Sequence, residues 1–217
     1  MKKLIVLTVL AAMSLQTQAQ IVSSRSSMVT REVIDRGGWS TFGIEYLPST
    51  FKFSGDADSE SFTGLALNYT KAISITESMP FFFEWGLGLQ YSFKSEKDKE
   101  YDAEAKMSFI SAKVPLNLIY DIAVPNSTIH FDPFVGIQLR GNLWGEGKEE
   151  YRGESETIDL FDSDEGDCKR FQIGLQAGMK VRFDNKFFVG IGYGADFMEF
   201  AEKTKINELK IMAGLVF

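Results

Sequence analysis

The single histidine and the single cysteine limit the side-chain chemistry available to this chain of 217 residues. Hydrolysis by a serine-type mechanism needs a hydroxyl nucleophile and an orienting carboxylate within hydrogen-bond reach of a histidine. His130 stands at the start of an alternating segment, where the phase of a strand points its ring inward. We therefore expect a structural histidine and no catalytic residue. Cys168 has no second cysteine with which to form an internal disulfide.

Carboxylates are dense between Gly145 and Lys169, and calcium prefers oxygen ligands of this kind. The run Asp162–Asp167, however, has glycine at its fifth position, where a calcium-binding EF-hand loop supplies its third ligand. We expect a solvated acidic loop, bridged at most loosely by divalent cations, and no specific metal site. The glycine-spaced run Gly190–Gly194 precedes no predicted helix, so a nucleotide site is unsupported and we expect no cofactor.

Isolated charges of both signs recur at alternating positions between apolar residues. These candidate site residues are Glu45, Glu84, Lys113, Asp132, Arg140, Lys180, Asp196, Glu208 and Lys210. Charges of opposite sign confined in one interior can neutralise and hydrogen-bond each other. We expect these residues to form a charge network in the interior of the fold.

The elements that must position this network are strands. In the last stretch, Ile206–Phe217, apolar side chains alternate with Glu208, Lys210 and small residues, which is the period of a strand with one apolar face. The same alternation recurs in seven further segments, at Trp39–Leu47, Phe62–Ile73, Phe81–Phe93, Ser108–Ile122, Ile129–Trp144, Phe171–Arg182 and Phe187–Met198. The sequence therefore predicts an all-β chain of eight antiparallel strands.

The apolar face of these strands has the composition of a lipid-facing surface. One face is uniformly Leu, Ile, Val, Phe and Tyr, whereas the other carries glycines and the isolated charges. Large aromatic residues collect near the strand ends, at Trp85, Tyr91, Phe93, Tyr120, Trp144, Phe171, Phe197 and Phe217. Transmembrane barrels carry such aromatic girdles around an apolar band. We predict an eight-stranded antiparallel up-and-down transmembrane β-barrel with the charges in its lumen; a soluble lipid-carrier barrel, which would reverse the faces, is an alternative.

The start of the chain and the loops between strands agree with export to a membrane. Two lysines, a short apolar run and small residues before Ala19 predict a signal peptide at residues 1–19. We expect residues 20–38 to form a periplasmic tail, or alternatively a small plug, and residues 39–217 to form the barrel domain. Long connections at Ser49–Ser61, Lys94–Met107 and Gly145–Lys169 alternate with short ones, so we expect the long loops to face outward.

Pro115 interrupts the fourth predicted strand, where it removes a hydrogen-bond donor from the ladder, and we expect a local β-bulge there. The run Lys113–Tyr120 (KVPLNLIY) resembles a strand of the PorT-like outer-membrane β-barrel family. Asp132–Ile137 (DPFVGI) is similar to the next strand of that family. The aromatic C-terminal residue Phe217 resembles the signal that barrel-assembly machinery reads. The resemblance implies an eight-stranded barrel in the outer membrane of a Gram-negative bacterium.

These patterns together favour an integral outer-membrane barrel that is not an enzyme. We expect it to be structural or to interact through its extracellular loops, with polar side chains filling the lumen. A secretion-accessory or transport component that acts with a partner protein is the alternative. The expected partners are outer-membrane lipid, lipopolysaccharide and barrel-assembly machinery, and an unidentified protein partner stays open. The net charge of −7 argues against nucleic acid.

Overall fold

The structure is a computed structural model that describes residues 37–53, 59–76, 79–98, 103–151, 154–162 and 168–217. The expected signal peptide at residues 1–19 and nearly all of the expected tail at residues 20–38 lie outside these residues. Within them, no helix has the length and apolar character needed to cross a bilayer.

Ten strands of the described part of the chain form one antiparallel sheet. They are β1 (Trp39–Phe53), β2 (Ser59–Ser74), β3 (Phe81–Asp98), β4 (Ala103–Tyr120), β5 (Ile122–Ala123), β6 (Ile129–Tyr151), β7 (Glu154–Asp159), β8 (Phe171–Phe183), β9 (Phe187–Asp196) and β10 (Thr204–Val216). Eight of them close a ring, in the order β1, β2, β3, β4, β6, β8, β9, β10 and back to β1. Over the residues that the structure describes, the short strands β5 and β7 pair with β6 alone, at its two ends. The predicted eight-stranded barrel is confirmed.

The outward face of the ring is apolar, and the inward face carries polar and charged side chains between its two ends. Along β8, for example, Leu175 is 58% exposed whereas Gln176 is 4% exposed. The same alternation follows the other ring strands, so exposed Leu, Ile, Val and aromatic side chains surround the barrel. This arrangement suits lipid outside and overturns the alternative of a soluble lipid carrier, which required the apolar set to point inward.

Two ends of the barrel can be told apart by their connections. At the turn end, Asp184 and Asn185 both have positive φ, of 52° and 49°, and connect β8 to β9 in a tight turn. Asn126, with φ of 57°, lies in the connection from β5 to β6 at the same end. Asparagine and aspartate tolerate this left-handed conformation better than most residues, which explains their places here. The opposite end, where β3 and β4 meet and β6 meets β7, is the loop end.

The strands at the loop end are longer than the sequence predicted. The segments 94–98 and 103–107, expected in a loop, continue β3 and β4 in an unbroken ladder from Lys94↔Met107 to Asp98↔Ala103. Likewise β6 continues to Tyr151 and folds back as β7, inside the segment Gly145–Lys169 that was expected to be a loop. The prediction was wrong here because charged side chains on both faces hide the period of two. The result is a four-stranded sheet extension formed by β3, β4, β6 and β7.

The expected bulge at Pro115 is wrong. The β3–β4 ladder has the same register before and after the proline, from Trp85↔Leu116 to Gly88↔Lys113, and only the bridges between them are missing. The bulge lies instead between β4 and β6, where the register shifts at Ile110/Ser111. It turns Leu143 and Trp144 outward in succession, with exposures of 56% and 43%.

Glycines on the inward face make room for aromatic rings. A Cβ atom on Gly178 would lie 2.7 Å from Cζ of Phe134, and a Cβ atom on Gly43 would lie 2.8 Å from Cζ of Phe188. Both distances are shorter than carbon–carbon contact permits, so these positions must lack a side chain. The interior of an eight-stranded barrel is only wide enough for side chains to fill, and here rings occupy the space that glycines leave.

Candidate functional site: the charged lumen

Arg140 on β6 lies at the centre of the lumen and is 1% exposed. Its Nη1 donates a hydrogen bond to Oδ2 of Asp196 on β9 at 2.7 Å, and its Nη2 lies 2.6 Å from Oε1 of Glu208 on β10. Each of the three residues occupies a strand position whose side chain points into the lumen, so the side chains meet there. One guanidinium thus neutralises two carboxylates, and such charge-assisted contacts are stronger than neutral hydrogen bonds.

Amide side chains extend the contacts of Glu208. Gln90 donates from Nε2 to its Oε1 at 3.0 Å, and Gln138 donates from Nε2 to its Oε2 at 3.4 Å. Lys210 in turn donates to the side-chain oxygens of Gln138 and Gln176. The carboxylate therefore has partners on β3 and β6, and the ammonium of Lys210 has partners on β6 and β8.

A second carboxylate centre is formed by Glu84 on β3, which is fully buried. Its Oε2 lies 2.6 Å from Nζ of Lys180 and accepts a hydrogen bond from Thr70 at 2.9 Å, while its Oε1 accepts one from Asn117 at 2.9 Å. Gln176 donates to Oδ1 of Asn117 at 2.7 Å, which joins this centre to Lys210. The hydrogen-bonded chain therefore runs continuously from Glu84 to the Arg140 centre.

Lys113 and Glu45 form a third pair, with Nζ 3.0 Å from Oε2. Lys210 also interacts electrostatically with Glu45, so the pair lies beside the central chain of contacts. The structure thus brings together eight of the nine candidate residues in one region of the lumen. The ninth, Asp132, lies closer to the turn end and is bonded separately.

Asp132 belongs to a cluster that sequence reasoning did not assemble. Its carboxylate accepts hydrogen bonds from Nε and Nη2 of Arg182, and that Nη2 also lies 3.3 Å from Oδ1 of Asp121. The same Asp121 oxygen lies 2.7 Å from Nδ1 of His130, and the guanidinium of Arg182 stacks 3.6 Å from the ring centroid of Trp39. Arg182 had the inward phase that would have identified it. Added to the nine candidate residues, it makes five carboxylates and five cations.

The connecting amides and hydroxyls were also missed. Gln90, Asn117, Gln138 and Gln176 are each buried and bonded to a charged partner or to one another. Each sits at an inward position of a strand that the sequence did predict. Their polar character and inward phase mark them in the sequence as lumen residues, although they carry no charge.

An apolar cluster closes the lumen at each end. At the turn end, buried side chains pack inside the ring, namely Trp39, Ala72, Phe82, Ile119, Phe134, Phe188, Met212 and Val216. At the loop end, a second cluster is formed by Phe51, Phe62, Phe109, Leu160, Phe161, Phe200 and Ile206. We call these the turn-end cluster and the loop-end cluster. The charged network lies between them, in a space with low access to water.

Contacts within the loop-end cluster are aromatic. Phe200 packs against Phe109 with ring centroids 5.3 Å apart, and against Phe161 edge-on at 6.0 Å. Such pairs each contribute about 0.5–1.5 kcal/mol beyond their buried area. Arg170 fixes Phe161 from outside, because its Nη2 donates to the Phe161 carbonyl at 3.1 Å. Nζ of Lys169 lies 3.0 Å from Oε2 of Glu199, which belongs to the connection between β9 and β10.

Acidic, histidine and cysteine side chains are the candidate ligands for a metal ion. Over the described ranges, no three or more of these side chains are grouped so as to hold one. Most of the run Asp162–Asp167, which was compared with a calcium loop, lies outside those ranges.

Several solved structures are similar to this chain at low sequence identity. Among solved structures, the chain is similar to Ail, the attachment invasion locus protein of Yersinia pestis, in complex with the heparin analogue sucrose octasulfate, with 14% identity, a TM-score of 0.47 and coverage of 83% of this chain and 99% of Ail. It is also similar to the outer membrane enzyme PagL, with 12% identity, a TM-score of 0.47 and coverage of 79% and 97%. A major outer membrane protein from Thermus thermophilus matches with 12% identity, a TM-score of 0.46 and coverage of 82% and 99%.

The search of curated proteins found no significant match. A family model described as the outer membrane protein beta-barrel domain matches residues 5–217, which is nearly the whole chain. The chain therefore belongs to the outer membrane protein beta-barrel domain family and is a β-barrel of the outer membrane.

Proposed function

We propose that this barrel is a non-enzymatic and non-conducting protein of the outer membrane that is structural or interacts through its loop end. The observation that carries the proposal is the lumen, in which a neutral network of buried charges lies between two apolar clusters. An ion entering from either end would have to displace aromatic side chains and then break salt bridges. Neither step leaves an open path.

The surroundings of His130 support the non-enzymatic part of this proposal. Its Nδ1 is engaged with Asp121, which also contacts Arg182. Arg182 in turn bonds Asp132 and stacks on Trp39. The ring therefore belongs to a charge cluster that fixes the turn end of the barrel, and this is a structural role.

Planar-bilayer recordings test the non-conducting part. The purified, heat-modifiable monomer should insert without stable single-channel steps, because side chains fill an eight-stranded lumen. A variant with Phe109→Ala and Phe200→Ala, which opens only the loop-end cluster, should also stay closed, since the charge network remains. Reproducible steps from the wild-type monomer would contradict the proposal and favour transport.

The orientation of the barrel is part of the proposal, with the loop end outward. It follows from the contrast between tight turns at one end and the sheet extension at the other. In a Cys168→Ser background, Thr157→Cys on β7 should react with an impermeant maleimide on intact cells. Asn185→Cys, in the turn between β8 and β9, should react only after the outer membrane is permeabilised. The opposite pattern of labelling would reverse the orientation.

A second candidate function is a secretion-accessory or transport component that acts with a partner protein. The sheet extension favours it, because among the described strands β7 pairs with β6 alone and so presents its other edge to a further strand. Thr157→Pro removes one donor from β7 and should release a partner that co-purifies from native membranes. The matched control is Thr157→Val, which keeps the backbone donor. Thr63→Pro would not serve as a control, because its strand β2 lies within the ring.

We also propose that the chain falls in the PorT-like group of this family. The two runs that resemble that group, Lys113–Tyr120 and Asp132–Ile137, lie on the neighbouring strands β4 and β6. Pro115 is buried with the inward phase, between Lys113 and Asn117, where its ring packs without interrupting the register. Pro115→Ala should therefore leave the assembled barrel intact, which circular dichroism and heat-modifiable migration would show.

A further inference from the structure

Two lysines face each other on the outward surface of the loop end. Lys52 on β1 and Lys205 on β10 are register partners across the seam that closes the barrel. Both side chains point outward, because their neighbours Phe51 and Ile206 are buried on the inward face. Like charges directly opposite in adjacent strands repel and destabilise the pairing, so this arrangement calls for a compensating anion.

Within the described residues, neither lysine forms an ion pair with a carboxylate, since the ion pairs there involve other lysines. A second outward pair at the loop end, Lys106 and Lys148, behaves differently. Nζ of Lys106 lies 2.9 Å from Glu104, and Nζ of Lys148 lies 3.8 Å from Glu150. Among the described residues, Lys106 and Lys148 thus have carboxylates within ion-pair distance, whereas Lys52 and Lys205 do not, and Lys205 has only a longer-range electrostatic interaction with Glu199.

The surface below Lys52 and Lys205 changes from polar to apolar in steps. The next outward row toward the membrane carries Thr50 on β1 with its register partners Ser61 and Asn207. These hydroxyl and amide groups line a groove of about 410 Å³ together with Pro48, Leu209 and Tyr193. Beyond the groove begins the exposed apolar band.

We propose that this groove binds a phosphorylated and acylated sugar lipid of the outer leaflet. The geometry matches its three parts in order, with a phosphate between Lys52 and Lys205, sugar hydroxyls against Thr50 and Asn207, and acyl chains along Leu209 and the apolar band. An anionic phospholipid supplies the phosphate but no sugar to the middle row. The inference rests on the proposed function in one respect, which is that the loop end faces the outer leaflet.

Native mass spectrometry of the full chain in detergent tests the proposal, with bisphosphorylated lipid A as the probe. The wild-type barrel should retain lipid A, and Lys52→Gln with Lys205→Gln should weaken retention about tenfold or more, since a hydrogen bond to a charged group contributes that much. The matched control, Lys106→Gln with Lys148→Gln, removes the same charge from the same end and should retain lipid A as the wild type does. Heat-modifiable migration verifies that each variant is folded.

Three outcomes would overturn the proposal. The first is equal retention by the Lys52/Lys205 variant and the wild type. The second is equal weakening by both double variants, which would show attraction to charge in general. The third is equal retention of phosphatidylglycerol or of dephosphorylated lipid A. These results are independent of the orientation measured by maleimide labelling, so failure of the lipid site and failure of the proposed orientation are distinguishable.

Discussion

Nη2 of Arg140 lies 2.6 Å from Oε1 of Glu208, and the two residues belong to strands that are not neighbours in the ring. Between β6 and β10 lie β8 and β9, so this contact crosses the lumen rather than following its wall. The lumen side chains therefore connect opposite walls of the barrel, in addition to the backbone ladder that runs around it.

Arg140→Gln should destabilise the folded barrel strongly. It leaves Asp196 without its cation in a buried site, and breaking a buried pair by removing one partner costs about 3–5 kcal/mol. The midpoint of urea unfolding, followed by tryptophan fluorescence in lipid vesicles, measures the effect. Adding Asp196→Asn should recover part of the loss, whereas Lys203→Gln, at an exposed position, should change little. A wild-type midpoint for Arg140→Gln would show that the contact across the lumen is dispensable.

Leu175→Arg should destabilise the barrel in a bilayer because Leu175 is 58% exposed on the apolar face. A cation on the lipid face near the midplane costs about 2–4 kcal/mol, and the cost falls to about 0–1 kcal/mol near the interface. Ile158→Arg, on β7 in the sheet extension, is the matched change and should cost little. Equal free energies of unfolding for the two variants would contradict the assignment of the membrane-facing band.

Deletion of Phe217 should lower the yield of assembled barrel. Its side chain is 67% exposed, and its backbone N–H donates to the Ser40 carbonyl at 3.0 Å. Phe217→Ala keeps that backbone hydrogen bond but removes the aromatic ring. Comparison with the deletion therefore distinguishes the effect of the ring from the effect of the backbone bond. The fraction of heat-modifiable protein in outer-membrane extracts measures assembly, with Phe197→Ala as an exposed aromatic control. Wild-type assembly of the deletion variant would refute a role for Phe217.

The connection between β9 and β10 should become less stable at acidic pH. The hydrogen bond from Lys169 holds the pKa of Glu199 below its ordinary value of 4.5. A lowered carboxyl pKa stabilises the fold above that ordinary value, and the contribution is lost as the pH falls through the lowered pKa. Lys169→Gln should raise the pKa of Glu199 in a carboxyl NMR titration. An unchanged titration would show that the contact is not formed in solution.

The strands of the ring were predictable because one face of each meets lipid and the other meets a narrow interior. That contrast forces strict alternation in a segment such as Phe171–Arg182, which β8 reproduces to within one residue. Outside the bilayer the contrast disappears. The continuation of β6 into β7 carries charge on both faces, so its sequence has no period of two although its ladder is regular.

The charged residues of the lumen were predictable for the same reason, whereas their partners were not. Phase places Glu84 and Lys180 inside, but which cation meets which carboxylate depends on the stagger of strands around the ring. The loop-end cluster depends on long-range packing, since Phe161 and Phe200 lie in connections rather than in strands. No local pattern of sequence marks such residues.

Because Ser40 and Phe217 join the first and last parts of the barrel, the ring can close only after the last strand has been synthesised. Two backbone hydrogen bonds join these residues, at 2.7 Å and 3.0 Å, between the start of β1 and the residue that follows β10. A ribosomal product that stops before β10 leaves β1 paired only with β2, so β1 and β9 keep open edges, which are prone to aggregate. Contacts between such distant parts of a chain also form slowly. The ring therefore keeps its two open edges until the last strand pairs with β1.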